Sequence, residues 1–240
     1  MISLGGAAMK AFGWGSRSGR RRAGIWAALV VAIGALGASP TIATAQEHDP
    51  VLLVHGFRGD PSTWADMKTF LESQGRVVAV IDLTSEDNVV NAKAIANFLK
   101  QKRWKQVDLV GQSMGGLSSR HFVKFVPSRV KVDAYVSLGT PQYGIWSACV
   151  LPSWYGGQMC PTSSFLANLN AGDDTPGTTA WTTIYSTGDQ YVPNDASRLD
   201  GGACHVRVDG IGHNEMDNDP GVMAHVLSAI DGGCPGTFVP

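Results

Sequence analysis

One stretch constrains this chain more than any other: Val107-Asp108-Leu109-Val110-Gly111-Gln112-Ser113-Met114-Gly115-Gly116. A short apolar run, the signature of a buried strand, ends in Gly-x-Ser-x-Gly and passes straight into a helix-like pattern. In that context a serine sits on a sharp strand-to-helix turn, its hydroxyl raised above the end of a sheet. Gly111 and Gly115 flank it because a side chain at either position would collide across so tight a turn. Ser113 itself is expected in a strained backbone conformation, a cost met mainly at functional sites. With 29 Gly in the chain the motif string alone says little, so the flanking pattern must carry the argument.

That pattern repeats along the chain. Val51-Leu52-Leu53-Val54 is apolar on both faces, as a central parallel strand should be. Asp60-Pro61 then supplies an N-cap and a proline at the first helical position, and Trp64, Met67, Phe70 and Leu71 keep helical spacing. Val77 to Leu83 reads as a second strand. Val90, Ala94, Ile95, Phe98 and Leu99 mark a second helix face. The helix after Ser113 carries Leu117, Phe122, Val123 and Val126 and stops at Pro127. Further strands are expected at Val130–Leu138, Thr182–Ser186 and Cys204–Val208, and a last helix after Asp219-Pro220. Strand and helix alternate throughout. This specifies an α/β fold: a mostly parallel sheet of about six strands with helices on both faces. A ligand site belongs at the carboxyl ends of the strands.

The first 45 residues read differently. Arg17, Arg20, Arg21 and Arg22 precede an apolar run from Ile25 to Leu36, and Ala43-Thr44-Ala45 forms a small-residue cleavage pattern. This is expected to be a signal peptide, leaving residues 46–240 as a single catalytic domain of an exported, extracellular protein. The apolar run is too short to span a membrane comfortably. The paired arginines leave Sec and Tat export both open. Five of the 19 basic residues and none of the 20 acidic ones lie in that leader, so the remainder carries a net charge of −6. That balance gives no footprint for nucleic acid. All four cysteines fall beyond the leader, and an even number in an exported chain reads as two disulfides. Of the three pairings, Cys149–Cys160 and Cys204–Cys234 are favoured because they join sequence neighbours. A zinc site is disfavoured: no Cys-x-x-Cys occurs and the histidines are scattered.

A serine hydroxyl is a poor nucleophile until a base takes its proton, and the base is normally a histidine oriented by a carboxylate. In this architecture they follow in the order Ser, acid, His. Asp189 follows the strand ending at Ser186, and His213 follows the strand ending near Val208. Asp195 is the rival acid. Asp173, Asp174 and Asp200 read as solvated turn residues, and His205 and His225 as structural or surface histidines. The oxyanion of an acyl-transfer intermediate needs two fixed N–H donors. Met114, next to the serine, should supply one, and Phe57, in the His55-Gly56-Phe57 loop after the first strand, the other. Gly56 would let that backbone approach closely. His55 reads as a loop-shaping residue bonded to backbone.

His55-Gly56-Phe57, Gly111-Gln112-Ser113-Met114-Gly115-Gly116, Ser137-Leu138-Gly139-Thr140-Pro141, Ile184-Tyr185-Ser186-Thr187-Gly188-Asp189 and Gly210-Ile211-Gly212-His213 together resemble the small secreted bacterial lipases, the class 2 lipase family. The resemblance runs from Pro50 to Ile230 and includes Ser197-Arg198-Leu199-Asp200-Gly201. It implies a compact α/β-hydrolase, carboxylic ester hydrolysis, no cofactor, no metal, and Ser113, Asp189 and His213 as the catalytic triad. Two features depart from it. Gln112 stands where many members have histidine, and the segment from Thr140 to Thr179 is longer than in the smallest members. Four prolines in that segment exclude a long lid helix, so the cleft is expected to stay open. Ile145, Trp146, Val150, Leu151, Trp154 and Tyr155 are expected to wall an acyl groove. The expected partners are an ester or lipid substrate and, transiently, a lipid droplet surface, with no nucleic acid and a monomeric chain. A polyester depolymerase, an acyltransferase with the same triad, and a non-catalytic binding protein on this fold are the alternatives.

Overall fold

The computed structural model describes residues 48–240; the signal-peptide expectation lies outside the described residues. Seven strands form one sheet in the order β2-β1-β3-β4-β5-β6-β7. They are β1 (Val51–Val54), β2 (Val78–Ile81), β3 (Gln106–Gln112), β4 (Lys131–Leu138), β5 (Ala180–Ser186), β6 (Ala203–Val208) and β7 (Thr237–Val239). The first six are parallel to one another. β7 is a seventh strand beyond the expected six, antiparallel to β6 at the sheet edge.

The helices are α1 (Ala65–Ser73), α2 (Asn88–Lys102), α3 (Met114–Phe125), α4 (Ser164–Leu169), α5 (Asn194–Ser197) and α6 (Pro220–Ile230). Their starts follow local chemistry. Asp87 and Asp219 accept backbone N–H bonds at the N-termini of α2 and α6. Asp60 does the same for the 3-10 turn leading into α1. Each such cap is worth about 1 kcal/mol. β1 shows why the strands are apolar throughout. Val51 and Leu53 join the cluster packed under α1 and α6, and Leu52 and Val54 join the cluster under α2. Period-two alternation thus feeds both faces of the sheet.

Chain order reverses between β1 and β3, because β2 lies on one side of β1 and β3 on the other. Loops leaving β1 and β3 therefore diverge at that point and open a crevice at their carboxyl ends. The loop 55–60 and the turn at Ser113 are the two sides of that crevice.

Both disulfides pair as expected. Cys149 is bonded to Cys160, and Cys204 to Cys234. The long segment holds only short helical pieces, the longest being α4 with six residues. It is anchored from below by Arg120 on α3, which is fully buried and pairs with Asp174 at 2.6 Å. Tyr143 donates to the same carboxylate at 2.6 Å, and Arg120 Nη1 donates to Asn170 at 2.7 Å. Asp174 is therefore not the solvated turn residue expected. A buried guanidinium needs a buried counter-charge, and Asp174 supplies it. The expected apolar wall is corrected too. Ile145 lines the crevice, but Trp146, Val150 and Trp154 are exposed to solvent, Trp146 beside a neighbouring groove. Tyr155 packs edge-on against Phe57 with ring centroids 5.4 Å apart.

Candidate active site

Ser113 has φ 54° and ψ −128°. For a residue with a side chain this is a strained region, costing about 1–3 kcal/mol. The surroundings hold it there. Its N–H donates to the carbonyl of Leu138 at 2.8 Å, and a Cβ on Gly111 would meet the Gly116 backbone at 2.7 Å. Gly115 lies against the carbonyls of Val54 and His55 with no room for a side chain. Both glycines are thus required for the reason expected.

His213 begins a short 3-10 turn after β6, and Asp189 lies in the turn after β5. The two side chains meet, His213 Nδ1 to Asp189 Oδ2 at 2.7 Å, with 7% and 2% of their side-chain surface exposed. The other Asp189 oxygen accepts the N–H groups of Tyr191 at 2.8 Å and Val192 at 2.9 Å, which fixes the carboxylate plane. Gly139, at φ 53°, passes beneath the pair. A Cβ there would lie 2.8 Å from Asp189 Oδ2 and 3.1 Å from His213 Nδ1. Asp195, the rival acid, is exposed on α5 and takes no part. His205 and His225 sit on β6 and α6, away from the crevice.

Ser113 and His213 line one cleft of about 830 Å³, together with Gly56, Phe57, Gln112, Ile145, Met159 and Asp217. Among the described residues, no hydrogen bond joins the serine hydroxyl to the His213 ring. Bonds of this kind commonly tighten only when substrate is held.

The loop after β1 is shaped by His55. Its Nε2 accepts the Leu83 N–H at 2.9 Å, so Nδ1 carries the proton and donates to the Gly56 carbonyl at 3.1 Å. A Cβ on Gly56 would lie 2.8 Å from Ser113 Cβ, so this backbone runs directly against the serine. Among the described residues, neither the Phe57 N–H nor the Met114 N–H is taken by a protein acceptor.

Three polar residues matter here, of which Gln112 alone stands out in the sequence, as the departure from histidine beside the serine. Gln112 Nε2 donates to the His213 carbonyl at 2.9 Å, and Gln190 Oε1 accepts the His213 N–H at 3.2 Å. Both ends of the His213 peptide are thereby tied down. Asp217, one turn beyond His213, is 96% hidden yet faces the cleft. A polar residue wedged between an apolar strand and Ser113 was the one signal for Gln112. The other two had none.

An open, mostly parallel sheet with a strained serine after β3 and an Asp–His pair after β5 and β6 defines a lipase-like α/β-hydrolase. The chain belongs to the palmitoyl protein thioesterase family, whose pattern matches residues 50–190. It is similar in fold to the mature form of a Bacillus licheniformis lipase, at 19% identity, TM-score 0.66, covering 79% of this chain and 95% of that one. An α/β-hydrolase from the metagenome of Mar Chica lagoon sediments matches at 22% identity and TM-score 0.58, over 75% of this chain and 89% of that one. A Legionella pneumophila phospholipase matches at 13% identity and TM-score 0.61, over 75% and 58%. At such identities the likeness concerns the fold.

Proposed function

We propose that this protein is an exported serine hydrolase that cleaves carboxylic esters of the acyl-glycerol type through an acyl-enzyme. The observation that carries the reading is the strained Ser113 sharing one cleft with a His213 ring that is held by Asp189. In this reading Ser113 Oγ forms a bond to the ester carbonyl carbon while its proton passes to His213 Nε2. The C–O bond to the alcohol then breaks, and His213 returns the proton to the departing alkoxide. Water attacks the acyl-enzyme by the same route, freeing the acid and restoring the serine. Asp189 keeps Nδ1 protonated and steadies the imidazolium. Phe57 and Met114 N–H stabilise the oxyanion, a role worth about 3–4 kcal/mol for a single donor.

Ile145 and Met159 would receive the acyl chain. The short pieces of segment 140–179, with its bridge at Cys149–Cys160, support a cleft that stays open. Two disulfides support an oxidising, extracellular destination. A monomer touching a lipid surface only in passing is part of the same proposal.

The family match supports a second reading, hydrolysis of acyl thioesters by the same residues. The match covers Ser113 and Asp189 but ends before His213. One panel tests both: p-nitrophenyl esters of increasing acyl length, tributyrin, and palmitoyl thioesters, each before and after an activated phosphonate. Ester turnover lost in step with phosphonylation of the Ser113 peptide is expected. Turnover of thioesters alone would favour the second reading. Turnover surviving full labelling would reject both.

A further inference from the structure

The cleft beside Ser113 has two chemically different linings. Phe57, Ile145 and Met159 belong to the hydrophobic cluster built on Met114, Leu117 and Phe165. Thr63, Asn214, Asp217 and Asn218 line the same cleft, but their neighbours Trp64 and Met216 belong to the separate cluster that packs with α1 and α6. An apolar lining and a polar lining thus come from two different parts of the core.

Asp217 is the unusual member of the polar lining. It is only 4% exposed. Among the described residues, no side chain of another residue donates a hydrogen bond to its carboxylate. Buried carboxylates are normally paired or well supplied with donors, because desolvation is costly. Here burial pushes the carboxyl up to about 6; the charge on His213 opposes that rise, and Asp66, on α1, adds to it. Arg58, in the loop after β1, also lines the cleft but is largely exposed. A carboxylate, a threonine hydroxyl and two side-chain amides offer acceptors and donors together, which suits hydroxyl groups.

We propose that Asp217, with Thr63, Asn214 and Asn218, forms a subsite for the hydroxyl-bearing alcohol part of the ester, and that Asp217 is the residue that selects it. The proposal deepens the ester-hydrolase reading and rests on it. The acyl chain lies against Ile145 and Met159, and the alcohol part lies against Asp217. The substrate class is then a monoester of a small polyol, such as a monoacylglycerol. A bare alkyl alcohol would displace water from Asp217 and give it no partner. A site built to hydrogen-bond a hydroxyl rejects the analogue that lacks it. Asp217 touches the departing alcohol and not the reacting carbonyl, so it sets specificity and does not perform chemistry.

The test compares kcat/KM for glycerol 1-monobutyrate and n-propyl butyrate, which share the acyl chain and the three-carbon alcohol and differ by two hydroxyls. The wild-type ratio should be about tenfold or more. In Asp217→Leu it should fall to about unity, and Asp217→Asn should restore part of it, since the amide oxygen still accepts. In the wild type the ratio should also rise with pH through about 6, as the ionised carboxylate is the stronger acceptor. In Asp217→Asn it should be flat. Circular dichroism checks that each variant folds; if the leucine variant does not, the asparagine pH profile decides. Equal ratios in wild type and variants, with both esters turned over, would overturn the subsite alone. Failure of the wild type on both esters, with Ser113 refractory to phosphonate, would instead remove the hydrolase reading beneath it.

Discussion

The side-chain amide of Gln112 donates to the backbone carbonyl of His213 at 2.9 Å, so the residue before the serine holds the loop that carries the histidine. β3 and the turn after β6 are far apart in sequence, and this bond sets their spacing directly. Gln112→Leu should keep the fold and lose the tie. We predict kcat lowered by about tenfold to a hundredfold with KM little changed, since a small misplacement of a catalytic group costs that much. An unchanged kcat in steady-state assays would show that Gln190 and the Ser186 hydroxyl, which donates to the Ile211 carbonyl at 2.6 Å, position the loop without it.

Asp189→Asn tests the acid. The amide preserves shape, yet it would present a donor to Nδ1 and favour the wrong histidine tautomer. A loss of about three to four orders of magnitude in kcat is expected, with the fold intact by circular dichroism. Asp195→Asn, made in parallel, should leave turnover within about twofold, because that carboxylate is exposed on α5. The reverse ranking would reassign the acid.

Stability should depend on pH through Asp108, beneath the opposite end of the sheet from the cleft. Burial, reinforced by the nearby Asp49 carboxylate, pushes its carboxyl from 3.8 to about 7. One oxygen accepts the Ala134 N–H at 3.1 Å, and the other has no partner. The folded chain therefore holds the Asp108 proton more tightly than the unfolded chain does. The resulting stabilisation is complete below about pH 4 and is lost as pH rises through about 7, on the order of 2–4 kcal/mol. Asp108→Asn can keep the bond to Ala134 and has no proton to lose. Urea titrations should show it more stable than wild type at pH 8, with the slope between pH 4 and 7 reduced. A parallel slope in both proteins would refute this origin.

The bridge between Cys204 on β6 and Cys234 beyond α6 closes a loop of 30 residues. In the chain-entropy model that is worth about 3–4 kcal/mol. Replacing both cysteines by alanine should lower Tm by several degrees in differential scanning fluorimetry. Cys149→Ala with Cys160→Ala, whose separation is only 11 residues, should lower it less, and should instead loosen the wall that carries Ile145. Equal Tm for the first variant and wild type would mean that the strand and helix are held without the bridge.

Much of this fold could be read from local pattern, and the reason is physical. β1 is buried on both faces and wholly apolar, β3 carries an apolar centre at Leu109 and Val110, and the Asp-Pro starts before α1 and α6 are chemical signals in two residues. Asp189 and His213 were legible because each follows a strand that could be seen. β7 was missed: it has three residues, two of them exposed, and gains its bonds only by pairing with β6. Asp174 was misread because its partner, Arg120, lies 54 residues earlier, and no local pattern reports such a meeting. Trp146, Val150 and Trp154 were placed in a wall on composition alone, which cannot say which way the side chains of a 3-10 helix or a turn face.

In the proposed ester hydrolysis, the strained serine after β3 performs the chemistry. The most direct measurement of that role is the turnover of p-nitrophenyl butyrate by Ser113→Ala, with folding checked by circular dichroism and melting temperature. A fall of about a thousandfold or more in kcat is expected, with the fold retained and Tm little changed, since alanine keeps the Cβ and with it the backbone strain. A folded Ser113→Ala protein that hydrolyses the ester at close to the wild-type rate would contradict that role.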